Sequence, residues 1–156
     1  MTHTLRLACA LACLLPAGAA RAVQCSVSAP AVNFGAYDTV NALTPAPVTL
    51  RLRCRGRGRF SVSATLSAGS GSYAMRTLRS SGGGVLDYNL YTDAAHTQVA
   101  GDGSPGSVQL GPTQVSLSSR HRSQTVSYAL YPYLPGSQNV VPGSYADTPI
   151  VVTVSY

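Results

Sequence analysis

"VTLRLRCRGRGRFSVSATL", residues 48–66, carries the same alternation twice. Val48, Leu50, Leu52 and Cys54 take every second position, and beyond a glycine-punctuated middle so do Phe60, Val62, Ala64 and Leu66. A period of two places successive side chains on opposite faces of an extended chain, so each half reads as a strand with one buried face. Between the apolar residues stand Arg51, Arg53, Arg55, Arg57 and Arg59, which the period sends to one side, opposite Leu52 and Cys54. Gly56 and Gly58 are expected to turn the chain, wrapping the arginine row around a hairpin tip.

The alternation recurs in Leu86, Tyr88 and Leu90, in Val115 with Leu117, and in Val126, Tyr128 and Leu130. It closes the chain as Ile150, Val152, Val154 and Tyr156. Glycine, proline and serine clusters at 69–72, 80–84, 101–106 and 134–144 separate these runs. With 15 glycines, 10 prolines and neither lysine nor glutamate, almost nothing downstream of the start reads as helix. Six or seven short antiparallel strands in one small domain predict an all-β sandwich.

Residues 1–22 read differently. His3 and Arg6 make a cationic start, 7–15 an apolar run, and Ala20-Arg21-Ala22 a small-residue cleavage site, which together form a secretory signal peptide rather than a buried helix. The run is about half the roughly 20 residues a spanning helix needs, so no stable membrane insertion is expected. No convincing lipobox precedes Cys9 or Cys13. Cleavage leaves residues 23–156 as one domain, and losing Arg6 and Arg21 takes the net charge from +6 to +4. Two cysteines remain, Cys25 and Cys54. An even count in an oxidising compartment pairs them, and closing that loop contributes about 3–4 kcal/mol in the chain-entropy model. Zinc is poorly matched, since the two lack C-x-x-C half-sites.

The titratable groups of the exported part are Asp38, Asp87, Asp93, Asp102, Asp147, His96 and His121, besides arginine and tyrosine. No G-x-S-x-G or H-E-x-x-H occurs, and Asp93 and His96 stand three apart in a loop, where spacing sets no geometry. The aspartates read as turn residues bonding their own backbone. The expectation is no enzyme, no cofactor and no metal site. For the arginine row, export makes nucleic acid a poor partner. Anionic polysaccharide, lipopolysaccharide phosphate or an acidic subunit compete with a solvated face that discourages edge-to-edge pairing.

Several stretches together resemble the spore coat protein U domain family, whose members include subunits of archaic chaperone–usher pili. They are "CSVSAPAVNFGAYD" from Cys25, Cys54 itself, "SAGSGSYAMRTLRS" at 67–80, "LDYNLYTDAAHTQVAGDG" at 86–103 and "PGSYADTPIVVTVSY" at 142–156. Where the family commonly has tryptophan this chain has Ala100, and Pro149 interrupts the closing run. The resemblance implies an immunoglobulin-like antiparallel sandwich that lacks its last strand. A periodic donor strand from a neighbouring subunit, or before assembly a periplasmic chaperone, then fills the groove, with an usher and other pilin subunits as further partners.

On that reading Ile150, Val152, Val154 and Tyr156 line the acceptor groove. Tyr133, Leu134, Val140 and Val141, placed beyond a strand end, form an interaction loop if exposed. Residues 18–24 offer Val23 as the only large apolar side chain, too little to fill a neighbour's groove, so the subunit is expected to accept a strand and donate none, at a tip or terminus. Two alternatives remain open: a self-assembling coat protein, and a free carbohydrate-binding sandwich using Tyr128, Tyr131, Tyr133 and Tyr145.

Overall fold

The two halves of the 48–66 run belong to different sheets. In the computed structural model, which describes residues 23–156 and leaves the expected signal peptide outside the described residues, nine strands follow one another. They are β1 (Gln24–Ser28), β2 (Val48–Arg55), β3 (Gly58–Leu66), β4 (Arg76–Ser80), β5 (Val85–Tyr91), β6 (Leu110–Leu117), β7 (Ser123–Tyr133), β8 (Tyr145–Ala146) and β9 (Val152–Ser155). One sheet has the order β1-β2-β7-β5-β4-β8, the other β6-β3-β9, and neighbouring strands are antiparallel. The all-β immunoglobulin-like sandwich is therefore present. Among the described residues no helix is long and apolar enough to cross a membrane.

The expected hairpin between β2 and β3 is corrected to a corner. β2 is already flanked by β1 and β7, so β3 finds no free side of β2 to pair with and crosses to the other sheet. Gly56 makes the corner with φ 141°, and a Cβ there would lie 3.1 Å from the Val23 backbone. The arginine row divides accordingly. Arg51, Arg53 and Arg55 project from the outer face of β2, Arg57 sits on the corner, and Arg59 belongs to the second sheet; all five are exposed.

Inward parity survives the crossing. Leu50, Leu52 and Cys54 from β2 meet Val62, Ala64 and Leu66 from β3 in one core with Leu86, Leu90, Val115, Leu117, Val126 and Leu130. Burying each large aliphatic side chain stabilises the fold by about 1.5–3 kcal/mol, which explains why those alternations were readable. β4 and β8 were not. "RTLRS" has Leu78 as its one apolar residue, and β8 is two residues long. The last strand is shorter than expected, starting at Val152 rather than Ile150. Pro149 has no N–H to donate, and Val151 donates its own to the Ser67 hydroxyl at 2.9 Å instead of to a ladder.

Two devices hold this frame. Cys25 and Cys54 stand directly opposite in the β1–β2 ladder and are bonded, S–S 2.07 Å. At the other end, Arg76 is fully buried. Its Nη1 donates to Asn89 Oδ1 at 2.5 Å, and its Nη2 to the carbonyls of Ser67 at 3.0 Å and Ala100 at 2.7 Å. The guanidinium lies 5.5 Å from the Tyr73 ring centroid, and its Nε has no hydrogen-bond partner among the described residues. Burial pulls its pKa below the usual arginine value. Asn89 in turn donates to the Tyr73 carbonyl at 2.8 Å, so one side chain gathers the ends of β3, β4 and β5 with the loop at Ala100.

Replacing both Cys25 and Cys54 by alanine is expected to cost about 2–5 kcal/mol, read as a lower urea midpoint; mass spectrometry of the exported protein finding two free thiols would remove the premise. Arg76→Ala leaves the Ser67 and Ala100 carbonyls without that donor and should cost about 3 kcal/mol by urea unfolding at neutral pH.

Candidate functional site

Each sheet ends in a strand with an unpaired edge on the same side of the sandwich. β1 terminates the larger sheet, β9 terminates the smaller, and the two approach one another near the Gly56 corner. β1 runs away from that corner and stops at Ser28, whereas β9 runs toward it from Val152. Farther from the corner the edges therefore part, and the core between them opens.

The opening is an apolar cleft of ≈ 1080 Å³. Its floor includes Leu50, Leu86, Leu90 and Leu130, all buried. One rim is the segment 29–37, which pairs with neither sheet. Val32 and Phe34 alternate inward from it and pack on the core, Phe34 edge-on to Tyr88 with ring centroids 5.5 Å apart. Tyr37 anchors its end, donating to the Pro135 carbonyl at 3.0 Å and accepting from the Gln138 N–H at 2.9 Å. The opposite rim runs through 140–152.

One polar pair stands in the cleft wall. Tyr88 donates to Asp147 Oδ2 at 2.5 Å, and Asp147 Oδ1 accepts from the Ser70 N–H at 2.8 Å. Burial, helped by the bond to Asp147, pushes the Tyr88 phenol up. For Asp147, burial pushes upward, but the hydrogen bonds from Ser70 and Tyr88 outweigh it and hold the carboxyl below its ordinary value. The phenol thus stays protonated and the carboxyl ionised at neutral pH, a fixed donor–acceptor pair that turns β5 and the 140–152 rim toward each other. Chemically the cleft is a slot for alternating apolar side chains with a bare strand edge alongside, the geometry of strand addition.

The sequence-expected residues fall into it unevenly. Ile150 and Val152 line the cleft, Val154 packs on the core closer to the corner, and Tyr156 is 56% exposed with its ring 6.4 Å from Phe60. The exposed interaction loop is corrected. β7 runs on through Tyr133, and Leu134, only 1% exposed, exchanges backbone hydrogen bonds with Leu43 at 2.9 and 3.0 Å. Tyr133 is half-buried against His96, Val140 packs on the core, and only Val141 stands out, at 56%. Val140 and Val141 nonetheless line the cleft rim. The four tyrosines do not share a face. Tyr128 turns inward to Thr113 and the Val62 carbonyl, Tyr145 donates to the Val141 carbonyl at 2.6 Å, and Tyr131 and Tyr133 lie elsewhere on β7.

Three of the five aspartates behave as turn residues, whereas Asp87 lies within β5 and Asp147 accepts from the distant Ser70 and Tyr88. Asp38 accepts from the backbone N–H groups of Val40 and Asn41, and Asp93 from those of Thr97 and Gln98. Asp102 accepts from Ser104, whose side-chain and backbone contacts hold its carboxyl down at about 2. Sequence reasoning missed the inward alternation of Val32 and Phe34, which is visible in "PAVNFGAY" once that stretch is taken as extended. It also missed Arg76, since nothing in "AMRTLRS" separates it from the exposed Arg79.

Among solved structures, the chain is similar to one from the complex of CsuC with CsuE, described as a chaperone–tip adhesion subunit pre-assembly complex from archaic chaperone–usher Csu pili of Acinetobacter baumannii. The TM-score is 0.54 at 19% identity, a likeness of fold. It covers 86% of this chain and 40% of the other, so this chain spans less than half the length of that one. No curated protein matches the sequence. The family model of the Spore Coat Protein U domain matches residues 11–153, so the edge-open sandwich described above belongs to the spore coat protein U domain family.

Proposed function

We propose that this protein is an exported structural or adhesive subunit of a surface pilus of the chaperone–usher type, polymerising by donor-strand complementation. The observation that carries the reading is the cleft between the free edge of β9 and the unpaired segment 29–37. A sandwich open along one side leaves the backbone edge of β9 unpaired beside a cleft whose floor is lined by leucine side chains. An extended chain with alternating apolar residues satisfies both at once, its backbone extending the β6-β3-β9 sheet and its side chains entering the floor. Before assembly a periplasmic chaperone fills the slot, an usher hands the subunit on, and a neighbouring subunit then replaces the chaperone strand. Family membership and the fold shared with a chaperone-bound pilus chain support this reading over a free sugar-binding sandwich, as does the scattering of the four tyrosines. The acceptor-only role belongs to the same proposal, supported by the lack of alternating apolar residues in 18–24.

The purified exported protein, mixed with peptides copied from N-termini of neighbouring pilin subunits, should form a stable complex with at least one and gain thermal stability. Ile150→Asp together with Val152→Asp should weaken that complex about tenfold or more, 1.4 kcal/mol or above, with the disulfide and circular dichroism unchanged. Peptides that leave the melting temperature untouched, or a double variant that binds like the parent, would end the reading. A stable complex with the chain's own N-terminal peptide would end the acceptor-only part alone.

A further inference from the structure

The outer face of β1, β2 and β7 carries a pattern that the cleft does not use. The register aligns three rows across the strands: Gln24, Arg55 and Ser123; Ser26, Arg53 and Thr125; Ser28, Arg51 and Ser127. All nine residues are exposed. A central ladder of three arginines is thus flanked by hydroxyl side chains on β7 and by two serines and a glutamine on β1. Alternate residues along a strand are about 6.6 Å apart and neighbouring strands about 4.8 Å apart, so the grid is a flat strip of regularly spaced cations in a field of neutral hydrogen-bonding groups.

Tertiary structure enlarges the strip at the corner. The backbone N–H of Gly56 donates to the Arg122 carbonyl at 3.1 Å, which brings the exposed Arg120 and Arg122 of the β6–β7 turn beside Arg55 and Arg57. No aspartate lies on the strands that carry it. Asp38, Asp87, Asp93, Asp102 and Asp147 all lie outside β1, β2, β3, β6 and β7. Nor does the row guard a strand edge, since β2 is paired on both sides. Arginines held side by side repel one another, so their charge does not stabilise the isolated fold. Their arrangement is complementary to an external row of anions.

We infer that this face binds acidic polysaccharide, a chain bearing uronate carboxylates. A planar guanidinium pairs with a carboxylate through two parallel N–H···O bonds, and the flanking serine, threonine and glutamine side chains match the sugar hydroxyls between the charges. Single-stranded nucleic acid would call for aromatic platforms under its bases, and the grid has none; the outward aromatics of β7 begin at Tyr131, beyond Ala129. The inference is independent of strand uptake by the cleft.

The test measures binding of the exported protein to immobilised polygalacturonate, with neutral dextran and single-stranded DNA in parallel, at low and at physiological salt. Expected is binding to polygalacturonate that weakens with salt, little to dextran, and weaker binding to DNA. R51S/R53S/R55S should lose about tenfold or more in affinity with its thermal midpoint and cleft-peptide binding unchanged. R51K/R53K/R55K should keep only part of the affinity, because lysine retains the charge but not the two-bonded geometry. Should the triple serine variant fail to fold, R53S alone still has to weaken binding. Polygalacturonate held no better than dextran, a folded serine variant binding like the parent, or DNA bound as tightly as polygalacturonate would each overturn the inference. The cleft variant with Ile150→Asp and Val152→Asp should bind polygalacturonate normally, which separates failure of this proposal from failure of the pilus reading.

Discussion

The corner at Gly56 and Arg57 is the constraint on which the rest of the sandwich depends. β2 enters it with both edges paired, so the chain beyond must start a second sheet, and the two-residue bend keeps inward and outward parity through the change. Because parity is kept, the leucines of β2 and the small aliphatics of β3 face one another across the core, and the arginines of both stay wet. A side chain at Gly56 would press on the Val23 backbone at a φ that favours glycine. The disulfide two residues before the bend ties β1 to β2 at the same end, so the closed end of the sandwich is covalently fixed.

Fixing that end determines where the molecule opens. β1 and β9 are held close near the corner and, among the described residues, have no strand between them farther away, so the cleft is a wedge that widens toward 29–37 and 149–152. The far end is held by polar chemistry. Arg76 ties backbone carbonyls from two connections to Asn89, and Tyr88 with Asp147 links β5 to the rim opposite segment 29–37. A buried guanidinium with neutral partners contributes less as net stability than as geometry, since its donors accept few arrangements of those carbonyls. The cleft thus keeps its walls while its floor stays apolar.

The same topology separates two surfaces. The cleft lies between the sheets along one edge, and the arginine grid lies on the outer face of three paired strands. On the proposed reading a strand entering the cleft would extend the smaller sheet, whereas the grid belongs to the larger one, so occupation of one would leave the other accessible.

Much was legible in the chain itself. Alternation of Val48, Leu50, Leu52 and Cys54, and of Phe60, Val62, Ala64 and Leu66, marked strands and their buried faces because each apolar side chain is sided by the backbone alone. The pairing of Cys25 with Cys54 was legible because the expected signal cleavage would leave only two cysteines, and the closing run marked Ile150 and Val152, which line the cleft. Sheet membership was not legible. Alternation sets which way a side chain points but not which strand lies alongside, so a corner read as a hairpin, and a split arginine row read as one side. Leu134 looked available for contact because its run follows a strand, yet a bridge to Leu43, 91 positions earlier in the chain, buries it. Arg76 and the meeting of Arg120 and Arg122 with Arg55 were decided by tertiary structure alone, because they rest on residues that only folding brings within reach.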